Sequence, residues 1–216
     1  SFNGVNMCTN PTGHFCANFR KVLTDGFGGI RAEAQAHLDA MDGHIMGNEA
    51  EKYLFYKAVT IVCDASIAFS KRYAALAREQ AEAASEPRKS ELLQIAETTD
   101  WIMEHPVRSY REAIQAVYMY ELIMSIDGNY HGITIGRLDQ YLWPYLEKDL
   151  ASGVITMPEA QELMDCFYLK LCDMCKVWAV ASARNSGGYS TGQHMSLGGQ
   201  KADGSDATNP VSYLML

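Results

Sequence analysis

Gly136-Arg137-Leu138-Asp139-Gln140-Tyr141-Leu142-Trp143-Pro144-Tyr145 stands where an irregular polar stretch of the chain gives way to a helix. Upstream of it, Asp127 to Gly136 is rich in glycine and polar groups and has no helical period, the mark of a loop in which chemistry can sit. Two roles stand open for the charges inside the quoted segment. Arg137 and Asp139 could act on a substrate, or they could form a buried ion pair that fixes the loop to the helix after it.

Working outward, helical signals dominate. Residues from about Asn18 to Ala40 suit a helix broken or bent at Gly26 and at Gly28-Gly29. Glu51 to Ala84 carries Leu54, Ala58, Ile61, Val62, Ala65, Phe69 and Leu76 three or four apart, which predicts a long helix with one apolar stripe. Ser85-Glu86-Pro87 ends it and starts the next, with proline where a helix tolerates it. Ser109-Tyr110-Arg111-Glu112 has capping-box spacing and opens a helix to about Ser125; Thr156-Met157-Pro158-Glu159 repeats the device and opens another that ends near Lys176. A second irregular stretch, Ser186 to Gly204, includes a short strand at Gln193 to Leu197 and a turn at Asp203-Gly204. Asn209-Pro210 then supplies the N-cap and first residue of a last helix.

Composition bounds the partners. A chain of 216 residues that is 48% hydrophobic can bury a sizeable core. The formal net charge is -8 and the 18 Lys and Arg are scattered, so a phosphate backbone would find little to neutralise and nucleic acid is excluded as a partner. No run of eighteen apolar residues occurs and Ser1 to Asn6 lacks the basic and apolar regions of a secretory signal, so the expectation is a soluble, cytoplasmic protein without a membrane partner. Cys63, Cys166 and Cys172 fall in apolar helical surroundings, where a reduced thiol behaves as a small hydrophobe. Cys172-Asp173-Met174-Cys175 has the spacing of half a metal site but no second half, and no metal is assigned. The chain opens in a turn-rich segment and stops in the apolar run Val211 to Leu216, which reads as a fragment of one domain, 1–216, cut at both ends.

Three polar clusters remain, Asn6 to His14, Tyr130 to Gln140 and Ser186 to His194, each with a histidine. An imidazole titrates near neutrality and can move a proton either way. Taken singly, each reads first as a satisfied surface or core histidine, since spacing does not show convergence. Cys8 and Cys16 flank the first cluster, where nothing nearby in sequence lowers a thiol pKa. Gly187-Gly188 and Gly198-Gly199 match no phosphate-binding loop and suit close backbone approach or positive φ.

The segment from Gly136 to Tyr145 resembles the GR-x-DQ-x-x-x-P-[FY] segment of the glycyl radical enzymes of the pyruvate formate-lyase superfamily. Gly13-His14, Lys71-Arg72-Tyr73-Ala74, Tyr110 to Gln115, Leu197-Gly198-Gly199 and Gly204 to Asn209 look like landmarks of the same family in the same order. The resemblance implies an α/β fold in which this chain is the amino-terminal, mainly helical part of a ten-stranded barrel with helices outside. It implies a glycyl radical near the carboxyl terminus that oxidises a cysteine on a central loop, whose thiyl radical takes hydrogen from substrate. Neither a Gly-Cys-Val-Glu-like nor an Arg-Val-Ala-Gly-Tyr-like loop occurs here, so no cysteine of this chain is catalytic. It further implies no tightly bound cofactor, a separate activating enzyme using S-adenosylmethionine and an iron-sulfur cluster, and a homodimer.

The chain is most similar to the B12-independent glycerol and propanediol dehydratases. Asn6, His14 and His131 match positions that contact the diol in those enzymes, while Gly132 departs from their serine. Ser186 falls where a hydroxyproline dehydratase has a pocket serine, but His131 and Gly192 replace that enzyme's Asp and Phe; choline lyases are acidic at the position of His14. The implied activity is dehydration of a small 1,2-diol to an aldehyde, with His14 and His131 moving protons and Asn6 orienting the substrate. Other glycyl radical chemistries stay open: hydroxyproline dehydration, arylacetate decarboxylation, C-S or C-N cleavage, and formate acetyl transfer. From another class, a helical binding module stays open as well.

Overall fold

The local signals at the helix ends explain much of the architecture. In the computed structural model, which describes residues 15–41, 43, 45–128, 133–174, 180, 184 and 193–216, Thr156 caps α6 (Met157–Cys172): the Glu159 amide donates to its hydroxyl while the Thr156 amide donates to the Glu159 carboxylate at 2.8 Å. Asn209 does the same for the short α7 (Pro210–Leu214), accepting from the Val211 amide at 2.9 Å. The box expected at Ser109 is only half built. The Glu112 amide donates to the Ser109 hydroxyl, but the Glu112 carboxylate accepts from the Arg108 amide and guanidinium instead of reaching back to Ser109. The first amide of α4 (Tyr110–Gly128) donates instead to Asp149 of α5 (Leu138–Ala151), at 2.7 Å.

The chain forms two compact units. The continuous one, Arg20–Val107, holds most of α1 (Phe19–Asp39) with α2 (Asn48–Ala83) and α3 (Arg88–Ile102). The break expected in α1 falls at Gly26, with φ 66 and ψ 170, and not at the Gly28-Gly29 pair. It has a use: the freed Phe27 and Gly28 amides donate to the carbonyls of Met103 and Glu104 at 2.8 and 3.0 Å. A Cβ on Gly26 would lie 2.5 Å from the Glu104 oxygen, so only glycine permits this approach.

Helix α2 corrects the apolar-stripe reading. Its buried residues are Thr60, Cys63, Ser66, Ser70, Ala74, Ala77 and Ala81, a face of small side chains laid against α3. Leu54, Ile61, Val62 and Leu76 point the other way, while Phe55 edges an open pocket with Ile30, Ala34 and His37 of α1; all five are about half exposed or more. The small face is polar yet satisfied: Ser66 donates to the Val62 carbonyl and Ser70 to the Thr99 carbonyl of α3. Arg78 with Asp100 at 2.7 Å, and Lys71 with Glu104, tie the pair along its edge.

The discontinuous unit, Ser1–Phe19 with Arg108–Leu216, contains α4, α5, α6 and α7 and the described extended segments. Its core is filled by Tyr110, Ala113 and Val117 of α4, Leu138, Leu142 and Leu146 of α5, and Met164 of α6, all buried. Two two-residue strands, β1 (Phe15–Cys16) and β2 (Ile133–Thr134), run parallel. The described residues therefore display the mainly helical part of the expected architecture and only this much strand.

Candidate active site

Three extended pieces of the discontinuous unit lie side by side. Phe15 pairs with Ile133 and Cys16 with Thr134 in parallel register. On the same middle segment the Ile135 amide donates to the His194 carbonyl at 3.1 Å, and the Ser196 amide donates to the Gly136 carbonyl at 2.9 Å, with Gly136 and Met195 bridged in parallel. The β-branched run Ile133-Thr134-Ile135 favours this extended form. The expected strand at Gln193 to Leu197 is thus a single bridge flanked by two backbone bonds. Its place in the fold is nonetheless decisive: the residue after His14, the residue after Gly132 and His194 itself stand on neighbouring segments.

The charged pair of the opening segment holds this arrangement in place, though not as an ion pair. Fully buried Asp139 accepts at Oδ2 from the Gly198 amide at 2.7 Å and from the Ser212 hydroxyl at 2.6 Å. Arg137 turns to carbonyls, with Nη2 donating to Gly198 at 2.6 Å and Nη1 to Gln200 at 3.2 Å. Gln140 donates to the Ala207 carbonyl at 2.8 Å, and the Asn209 amide group donates to the Asp139 carbonyl at 3.3 Å. Each side chain of the motif reads backbone some sixty to seventy positions further along. Arg137 and Asp139 are positioning residues: they lash the 194–200 segment to the start of α5.

Gly136 is the pivot between the loop and α5. Its φ is 75, and a Cβ there would lie 2.7 Å from the Cys16 sulfur and 3.1 Å from the Tyr141 hydroxyl. The Cys16 thiol therefore fills the space that a side chain at 136 would need. Both the left-handed backbone and the close sulfur require glycine at this position.

Glu121 was not singled out by sequence reasoning. It lies on the face of α4 shared by Val117 and Met124, has no exposed surface, and neither carboxylate oxygen has a hydrogen-bond partner among the described residues. Burial alone pushes its pKa up to about 8, so at neutral pH the side chain is a neutral acid. The sequence signal was present: one carboxylate inside the apolar run Met119-Tyr120-Glu121-Leu122-Ile123-Met124. A neutral carboxylic acid can donate a hydrogen bond, a use open to it in catalysis.

Asn6, His14, His131, Gly132 and Ser186 all lie outside the described residues, as do Cys8 and Cys175. What the fold brings together is the residue after His14, the residue after Gly132, and His194. Among the described residues there is no cluster of three or more His, Cys, Asp or Glu suited to a metal. Of the thiols read as small hydrophobes, Cys63 is buried, and burial raises its pKa, whereas Cys166 and Cys172 are exposed on the outer side of α6. The sequence sets all three in apolar helical surroundings, but only the tertiary partners decide which face is covered.

The family description "Pyruvate formate lyase-like" matches residues 2–216. This chain belongs to the pyruvate formate lyase-like family, the superfamily of the glycyl radical enzymes. Among solved structures it is similar to the glycerol-bound B12-independent glycerol dehydratase of Clostridium butyricum, with a TM-score of 0.89 and 38% identity over 98% of this chain and 26% of that one. It is also similar to the protein of Roseburia inulinivorans described for 1,2-propanediol dehydration, at TM-score 0.89 and 34% identity, with the same coverage. Among curated relatives, the isethionate sulfite-lyase of Nitratidesulfovibrio vulgaris is 38% identical over 203 residues, 92% of this chain and 24% of that protein. The chain thus spans about a quarter of the length of these relatives.

Proposed function

We propose that this chain supplies part of the substrate pocket of a glycyl radical lyase that removes a leaving group from the carbon next to a hydroxyl-bearing carbon, with a small 1,2-diol such as propane-1,2-diol or glycerol as substrate. One observation carries the reading: the Phe15–Ile133 pairing sets the chain flanks of His14 and of His131-Gly132 on adjacent strands, with His194 on the next segment. Side chains carried next to segments paired so closely can serve one small molecule. The likeness to two diol-handling structures supports the same choice.

The chemistry asks for what these residues offer. Hydrogen abstraction at the hydroxyl-bearing carbon leaves a carbon radical beside the C–O bond to be broken. Losing the neighbouring hydroxyl as water needs a proton delivered to the leaving oxygen and one withdrawn from the remaining hydroxyl, and His14 and His131 are fit for those two transfers. Asn6 and Ser186 orient the substrate. Hydrogen returned to the product radical completes the aldehyde. The abstracting cysteine and the radical glycine come from outside this chain; a separate activating enzyme that uses S-adenosylmethionine and an iron-sulfur cluster installs the glycyl radical, which in turn oxidises the cysteine to its thiyl, in a cytoplasmic homodimer.

A second reading is sulfite release from a 2-hydroxyalkylsulfonate. The 38% identity to an isethionate sulfite-lyase favours it, and so does Gly132, whose lack of a hydroxyl leaves room for a larger leaving group. The test is to activate the full-length enzyme anaerobically and supply propane-1,2-diol, glycerol and isethionate in parallel, measuring aldehyde and free sulfite. Aldehyde from a diol, lost in His14→Ala while the radical signal persists, supports the proposal. Sulfite from isethionate with no diol turnover replaces it with the second reading, and silence from all three overturns both.

A further inference from the structure

Helix α2 carries its large apolar side chains on the side away from its own partner. Leu54 and Ile61 are 65% exposed, Phe55 63% and Val62 53%. Their spacing is regular. Leu54 and Ile61 stand seven apart, as do Phe55 and Val62, with Leu76 fourteen beyond Val62; Ala58 and Ala65 lie between the two rows. A seven-residue repeat keeps such a stripe on one side of a helix, and from Leu54 to Leu76 it is roughly 33 Å long. The two alanines make a shallow groove into which side chains of a second helix can insert.

Several of the charges beside the stripe are already engaged. Asp64 pairs with Arg31 at 2.6 Å, Lys71 with Glu104 and Arg78 with Asp100, all within the continuous unit, and the Arg72 guanidinium lies 5.5 Å over the Phe69 ring. Whatever covers the stripe meets it by shape and apolar area. A contiguous apolar surface of this length is rare on a protein whose faces all meet water. α2 has the length and composition to cross a membrane, yet a bilayer would have to accept Lys57, Asp64 and Lys71 along the same stretch.

The relatives say where a cover can come from: this chain matches 24% of one and 26% of another, leaving about three quarters of their length unspanned. We infer that the outer face of α2 seats an amphipathic helix, about six turns long, from the part of the full-length polypeptide that this chain does not span. This inference rests on family membership and is independent of the substrate chosen above.

The test uses the full-length protein carrying Ala65→Cys, a small change at the centre of the groove. Maleimide labelling at position 65, read by peptide mass, is expected to be at least about a hundredfold slower in the native protein than in the same protein unfolded in urea, and independent of protein concentration. Labelling as fast as in urea overturns the inference. Protection that disappears on dilution, together with a halving of the mass in solution, assigns the face to a second copy and overturns it too, as does protection that appears only with anionic phospholipid vesicles. Ile61→Glu in the same protein is expected to lower the unfolding midpoint by several degrees while Gln94→Glu, an exposed position on α3, does not; equal midpoints count against the inference. Should Ile61→Glu not fold, the labelling result decides alone.

Discussion

Replacing Glu121 with Gln isolates the energetics of a carboxyl group that the fold buries with no hydrogen-bond partner among the described residues. In the native state burial raises its pKa from 4.5 to about 8, with no charged neighbour contributing. The native state therefore holds this proton more tightly than the unfolded chain does. Between those two values the unfolded chain binds fewer protons, so stability falls as pH rises, at up to about 1.4 kcal/mol per pH unit. The contribution of neutral Glu121 is fully present below 4.5 and lost as pH passes 8; across the whole window the loss is on the order of 5 kcal/mol. Gln has the same shape, cannot ionise, and leaves its amide equally unpartnered, so its variant should lack this slope. The assay is a set of urea unfolding curves for both proteins from about pH 5 to about pH 8, with amide exchange in α4 as a local probe. Wild type should be the more pH-sensitive, losing ground to Glu121→Gln steadily as pH rises. Parallel curves, or an infrared spectrum at neutral pH without a protonated-carboxyl band that the variant lacks, would refute the reasoning.

Other outcomes follow from the same geometry. Asp139→Ala leaves the Gly198 amide and the Ser212 hydroxyl without their acceptor and should cost about 2–4 kcal/mol, seen first as faster exchange of the Gly198 amide; unchanged exchange would remove Asp139 from the clamp. Gly136→Ala should destabilise by about 1–3 kcal/mol, from positive φ and the Cys16 sulfur together. Adding Cys16→Ala should recover only the steric part, so a double-mutant cycle showing no coupling would contradict the contact. Cys63, buried and with its thiol pKa raised by burial, should resist alkylation in the native protein even when pH is raised to the alkaline side; labelling that climbs with pH as for an open thiol would show that α2 does not hold it.

How legible all this was in the sequence depends on the range of the forces involved. Helix ends were readable because a cap is a bond between near neighbours: Thr156 with Glu159 stands as its spacing predicts, and Asn209 caps the last helix ahead of Pro210. Ser109 failed in half because a stronger donor, the Arg108 guanidinium, was there to take the Glu112 carboxylate. The Gly26 break was legible as a glycine, but its reason, the Met103 and Glu104 carbonyls, came from elsewhere in the chain. The roles of Arg137 and Asp139 were open between catalysis and a mutual ion pair, and both lost to backbone partners that no local pattern announces.

By itself, the sequence determined which segments are helical, the family to which they belong and the side chains capable of chemistry, because propensity, capping and motif order are written within a few residues. Tertiary structure alone decided which face of α2 is covered, that Glu121 is buried with no hydrogen-bond partner among the described residues, and that the flanks of two distant histidine loops run side by side. The physical reason is the same in each case. Burial and β pairing are relations between segments far apart in the chain, and their free energy depends on what arrives from the other side, which period and composition do not encode.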